Sequence, residues 1–119
     1  MASLEVKSVS SPDETRPFVD KGHVDVVNVG GQAVLYGTFE PGWRWSEHVK
    51  PIANTDSCEA NHVLYVASGR MHVTMDDGTE AEVGPGDVVL IPPGHDAWVV
   101  GDEPCVSVDW GGYSHYAQG

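Results

Sequence analysis

The sequence predicts an all-β fold, a sandwich or small barrel built as one compact β domain. Three observations lead there. Short β-branched or apolar runs recur at spacings of roughly 8–12 residues. Turn-forming Gly, Pro, Asp or Asn residues close most of the runs. No stretch sustains the 3.6-residue periodicity of an amphipathic helix over three or four turns.

Taken in order, residues 1–22 read as an N-terminal arm, polar and proline-containing, with room for one short strand. "HVDVVNV" (23–29) and "QAVLYGTF" (32–39) flank Gly30-Gly31 and read as a hairpin. "WRWSEHV" (43–49) alternates and is expected to be a strand, followed by an irregular polar segment over 50–61. "HVLYVA" (62–67) and "MHVTM" (71–75) are separated by Ser68, Gly69 and Arg70. The run "DDGTEAE" (76–82) is a solvated hairpin, without the ligand spacing of a calcium loop. "EAEV" (80–83), "VVLI" (88–91), "HDAWVV" (95–100) and "CVSVDW" (105–110) complete the series. The barrel is thus expected over 23–112, with a C-terminal tail over 113–119.

At 119 residues the chain is long enough for one modest core. Six Lys and Arg stand against 18 Asp and Glu, a net charge of −12. Such a surface repels phosphate backbones and anionic lipid, so neither nucleic acid nor membrane is expected as a partner. No apolar run approaches the ~20 residues that span a bilayer, and the first residues lack the apolar stretch of a secretory signal. Cys58 and Cys105 are too few for a disulfide framework and form no CxxC pair, so a reducing, cytoplasmic setting is expected. No nucleophilic Ser/His/Asp context and no phosphate-cradling glycine loop stands out.

The spacings of Gly42, His48, His62 and Gly69, and of Gly86, Pro92 and Gly94, resemble those of the cupin family. Its first motif runs Gly, five residues, His-x-His, a short gap, Glu, six residues, Gly. Here Gly42 precedes His48 by five intervening residues, Lys50 takes the second-histidine place, and His62 stands six residues before Gly69 where the glutamate is usual. The second motif, Gly, five residues, Pro-x-Gly, two residues, His, is met by Gly86, Pro92 and Gly94. Ala97 holds the final position, and a histidine occurs two residues earlier, at His95. The resemblance spans about residues 30–110 and implies a double-stranded β-helix, or jelly-roll barrel. The glycines and prolines testify to that fold, whereas the ligand residues bear on chemistry.

In a strand, residues two apart share a face. Arg44, Ser46, His48 and Lys50 would therefore share one face, and Trp43, Trp45, Glu47 and Val49 the other. The resemblance implies that the His48 and His62 faces point into the barrel, with His95 entering from the second motif. Such a set with an open position suits a divalent transition metal, Zn, Fe, Ni or Cu. A thiolate from Cys58 would push the preference toward zinc or copper, and Asp56 is a weaker oxygen candidate. Lys50 is no ligand while protonated; with Arg44 it could anchor an anionic group, and Tyr36 is a further candidate for substrate contact. Leu64, Val66, Val88 and Leu90 would form a water-excluding wall. The alternative is that these imidazoles are hydrogen-bonded, partly buried residues with no ion. His23, His72 and His115 are read as surface or packing residues.

The resemblance implies a barrel that takes a small-molecule ligand, with oxygenase, isomerase or lyase chemistry in its range. A non-catalytic binding or sensing module is the competing reading, favoured by Lys50 and Ala97 at two usual ligand positions. A homodimer is expected, with the outward indoles of "WRW" as its candidate contact.

Overall fold

Alternating apolar and polar residues build nine strands and two single helical turns among the described residues, 3–58 and 61–110, of this computed structural model. The strands are β1 (Glu14–Pro17), β2 (Gly22–Val29), β3 (Gln32–Phe39), β4 (His62–Ser68), β5 (Arg70–Met75), β6 (Glu80–Val83), β7 (Val88–Ile91), β8 (His95–Val100) and β9 (Cys105–Asp109). The helical turns are α1 (Trp45–His48) and α2 (Lys50–Ala53). Two antiparallel sheets face each other, one of six strands in the order β1-β2-β3-β9-β4-β7, the other of three in the order β6-β5-β8. Non-sequential neighbours such as β3-β9-β4 make this a jelly roll rather than a meander. The anticipated short strand in the arm is β1, which pairs with β2 from Glu14↔Val26 to Pro17↔His23. The tail over 113–119, with His115, lies outside the described residues, as do the last two positions expected in the barrel.

The core lies between the sheets. Val24, Val26, Leu35, Phe39, Leu64, Val66 and Ile91 come from the large sheet, and Met71, Val73, Val83, Ala97 and Val99 from the small one. Phe18, Phe39 and Trp43 cluster at one end, with ring centroids 5.4 Å apart for Phe18–Phe39 and 4.6 Å for Phe39–Trp43. The β4–β5 turn pivots on Gly69, whose φ is +75°. A Cβ there would sit 2.2 Å from the Pro104 carbonyl oxygen, so the close passage of the two chain segments requires glycine.

Residues 43–49 are not a strand. Trp45–His48 and Lys50–Ala53 are helical turns, and Asn54 ends the second in the left-handed conformation at φ 58°. Proline explains part of this: Pro51 lacks the N–H a ladder needs but suits the first turn of a helix. Apolar spacing explains the rest, since Trp45 and Val49 lie four apart and both are buried. Facing is consequently reversed from the expectation. Trp43 and Trp45, each 2% exposed, point into the barrel and are not an outward contact for a second subunit, whereas Arg44 is exposed.

The water-excluding wall is corrected as well. Leu64 and Val66 are buried, but Val88 and Leu90 are 71% and 65% exposed. The register decides it. In the β4–β7 pair His62 opposes Ile91 and Leu64 opposes Val89, so Ile91 and Val89 take the inward positions and Val88 and Leu90 the outward ones.

Candidate metal centre

Three side chains that could hold a metal ion meet at one end of the barrel. One donor atom each from Cys58, His62 and His95 lies within 4.8 Å of the others, and all three residues are buried. Each is delivered by a different local device. His62 opens β4 and points inward in register with Ile91. His95 follows Gly94, whose φ of +93° turns the chain out of the Pro92-Pro93 segment into β8. Cys58 is held against that turn by its backbone: its N–H donates to the His95 carbonyl at 2.8 Å, and its carbonyl accepts the Gly94 N–H at 2.7 Å. The irregular segment therefore ends in a fixed bridge beside His95.

The hydrogen bonds orient both imidazoles. His95 Nδ1 lies 2.7 Å from the Pro92 carbonyl oxygen, which can only accept, so Nδ1 carries the proton and Nε2 the lone pair. His62 Nδ1 is hydrogen-bonded to the Asp109 carboxylate, and its Nε2 lies 3.8 Å from Cys58 Sγ. The His62 and His95 rings meet edge to face, with centroids 5.2 Å apart. Burial pushes the His95 pKa down to about 4, so this ring is neutral at pH 7 and able to donate its lone pair.

Asp109 is a member of this site that the sequence reading did not single out. It sits on β9 opposite Leu64, on the inward face that Ser107 and Cys105 share. The available signal was a strand, "CVSVD", whose alternate positions carry Cys, Ser and Asp. Cys58 also had a signal. It stands a short gap before His62, where the family's first motif also has a ligand residue.

The other candidates are placed elsewhere. His48 closes α1, and its Nδ1 lies 3.0 Å from the Arg44 backbone N–H, so it folds back on its own turn and is not part of the cluster. Lys50 lies in an open surface groove with Ser46, Asn54 and Thr55; its Nζ is 4.0 Å from fully exposed Asp56. Arg44 pairs with Asp96 at 3.3 Å and lies over the Trp98 ring, 4.5 Å from its centroid. Tyr36 occupies an outward position of β3, between Leu35 and Gly37, which line the cavity. No disulfide joins Cys58 to Cys105.

The cavity beside the cluster has a volume of about 40 Å³. Its polar rim is His62, His95, Ser107 and Asp109, and the rest is apolar, including Trp43, Trp45, Leu64 and Met71. That volume admits an ion's open position and one or two waters, since a water needs only ~10–15 Å³ by this measure. Trp43 and Trp45 each bury an indole N–H that meets no acceptor among the described residues.

The Cupin domain model matches residues 38–111, more than half of the chain. No curated protein matches. Among solved structures, the polyketide cyclase RemF from Streptomyces resistomycificus superposes with a TM-score of 0.63 at 19% identity, over 90% of this chain and 78% of that one. A cupin-like protein from Thermotoga maritima gives 0.54 at 23% identity, over 83% and 74% of the two chains. Oxalate decarboxylase from Lactobacillus farciminis, in a formate complex, gives 0.57 at 17% identity, over 81% of this chain and 30% of that one. At these identities the solved structures speak for the fold alone. The family match, which runs from the end of β3 through β9, makes this chain a member of the cupin family, and the jelly roll agrees with it.

Proposed function

We propose that this cupin holds a divalent transition metal on Cys58, His62 and His95 and presents the ion's remaining position to a small molecule drawn into the barrel. The observation that carries this reading is the pair of fixed tautomers. Both histidines spend Nδ1 on an oxygen acceptor, Asp109 or Pro92, which leaves both Nε2 lone pairs for the side of the ring away from that acceptor. Histidines kept only for packing have no need of that arrangement beside a thiol.

The donor set fits such an ion on two further counts. A thiolate with two imidazoles suits zinc or copper better than the harder cations. Charge also closes: a dication is balanced by the Cys58 thiolate and the Asp109 carboxylate in a buried setting, with His95 neutral. When bound, the metal would supply Lewis acidity at one open position. The chain's own residues do the remainder. Asp109 and Pro92 hold the rings, and Leu64, Val66, Ile91 and Ala97 keep bulk water from the site.

A second reading, a module that holds or senses the metal without turnover, is favoured by the cavity volume of about 40 Å³, far below the ~300 Å³ at which small-molecule pockets begin. Metal analysis of untagged protein tests the shared core of both readings. Near-stoichiometric zinc or copper is expected in the wild type and in His48→Ala, and its loss in Cys58→Ala, His62→Ala and His95→Ala. Metal content unchanged in those three variants would overturn the site. Product formation from small oxygen-bearing acids, ketones or phenols then marks an enzyme, and stoichiometric binding without product marks the module.

A further inference from the structure

Cys58, His62 and Asp109 are linked in series, an order that a ligand set does not require. Cys58 Sγ lies 3.8 Å from His62 Nε2, and His62 Nδ1 is hydrogen-bonded to the Asp109 carboxylate. Nδ1 donates to that carboxylate, so Nε2 keeps its lone pair on the side of the thiol. A nucleophile, a base within its reach and a group that orients the base form the arrangement that activates thiols and hydroxyls. The backbone also holds the thiol in place. The Cys58 N–H and carbonyl are bonded to His95 and Gly94 at 2.8 and 2.7 Å, and the Ser57 hydroxyl donates to Asp76 at 2.9 Å.

The space beside these residues sets what they can act on. The cavity that His62, His95 and Asp109 line has a volume of about 40 Å³. Ester and amide substrates fill pockets of ~300 Å³ or more, so the acyl transfer that such triads usually perform has no room here. An electrophile the size of one or two waters does fit. The rest of the lining is apolar, including Leu64, Ile91 and Ala97, and the chain carries a net charge of −12. Both features favour an uncharged molecule over an anionic oxidant. Hydrogen peroxide is small, uncharged and reacts directly with cysteine sulfur.

We propose that, when no metal is bound, Cys58 is a peroxide-reactive thiol activated by His62, with Asp109 orienting the imidazole. His62 Nε2 takes the thiol proton as Sγ attacks one oxygen of the peroxide. A sulfur electron pair forms the S–O bond and the O–O bond breaks. The departing oxygen takes the proton from Nε2 and leaves as water. Thiol and peroxide thus become sulfenic acid and water, the sulfur oxidised and the peroxide reduced. Cys105 does not turn the product into an internal disulfide. It lies at the other end of β9 from Asp109, roughly 13 Å along the strand, beyond the span of a disulfide. This activity goes beyond the metal centre, because it uses Cys58 and His62 without an ion. The two states exclude each other, since both need the same Sγ and Nε2 lone pairs.

Hydrogen peroxide added to the full-length protein, freed of metal by chelation, tests it. Sulfenic acid is trapped with dimedone and located by mass spectrometry. Oxidation of Cys58 should run at least about 10-fold faster in the folded protein than in the same chain unfolded in guanidinium, whereas burial alone would make it slower. That comparison needs no variant. His62→Gln should slow the folded-state reaction about 100-fold. Asp109→Ala should slow it by a smaller factor, and Asp109→Asn should recover part of the loss, because its amide oxygen still accepts from Nδ1. Folded Cys58 reacting no faster than unfolded Cys58, oxidation falling first on Cys105, or a His62→Gln rate equal to wild type would each overturn the proposal. None of these results bears on metal content. Conversely, a purified protein that takes up no zinc or copper removes the metal centre and leaves the peroxide result standing.

Discussion

Asp109 on β9 and His62 on β4 are joined by a carboxylate–imidazole hydrogen bond in the barrel interior, across two strands that pair antiparallel. The carboxylate fixes the His62 ring and its tautomer, and so the direction in which Nε2 offers its lone pair. Asp109→Ala should therefore lower zinc or copper affinity about 10–100-fold, read by competition with a chromogenic chelator. Asp109→Asn, whose amide oxygen can still accept the hydrogen bond from His62 Nδ1–H, should lose less. Equal losses in the two variants, or none in either, would remove Asp109 from the positioning role.

Acid should destabilise the metal-free protein through His95. Its folded pKa, about 4, lies below the ordinary 6.5 because burial disfavours the charged ring. The unfolded chain therefore binds the extra proton first. The stability associated with neutral His95 is complete above pH 6.5 and is lost progressively as pH falls toward 4. The amount is about 3 kcal/mol. Denaturant unfolding of the apo protein between pH 4 and 7 should show this slope, and His95→Gln should flatten it. Asp13, Glu14 and Asp77, whose carboxyls are held below their ordinary values, stabilise above those values and lose that contribution as pH falls beneath them, mostly below this window.

Trp45→Ala should cost about 3–5 kcal/mol of stability in chemical denaturation, because a large, fully buried side chain leaves a void. An outward-facing Trp45 would predict a change near zero together with a change in oligomeric state. The size of the loss discriminates between the two.

The two thiols should differ in reactivity. Burial pushes the Cys105 thiol up to about 11, so it carries almost no thiolate at pH 8 and should resist alkylation until the protein unfolds. Added zinc should slow modification of Cys58 in the native protein and leave Cys105 unaffected, as read by mass spectrometry. Protection of Cys105 by metal, or none of Cys58, would contradict the assignment of the site.

Much of the architecture was legible in the residues. Gly69, Gly86 and Gly94 mark turns by conformations that other residues rarely adopt, and the β-branched runs between them form strands at nearly the expected limits. That His62 and His95 face inward was implied by the family resemblance those turns carry, and both are buried. The segment around Trp43 was not, because a short apolar alternation fits a strand and a spacing of four fits a helix. Only Pro51, and a core that needed Trp45 and Val49 together, settles the choice.

Local sequence alone determined that this chain makes many short strands, where they turn, and which side chains carry metal-binding chemistry. Tertiary structure decided which of those side chains meet. Strand register turned Ile91 inward and Val88 and Leu90 outward, brought Asp109 from β9 beside His62, and left His48 on its own helical turn. The physical reason is that side-chain direction in a sheet reverses with every residue. Facing therefore depends on pairings between segments distant in the chain, and no local pattern encodes those pairings.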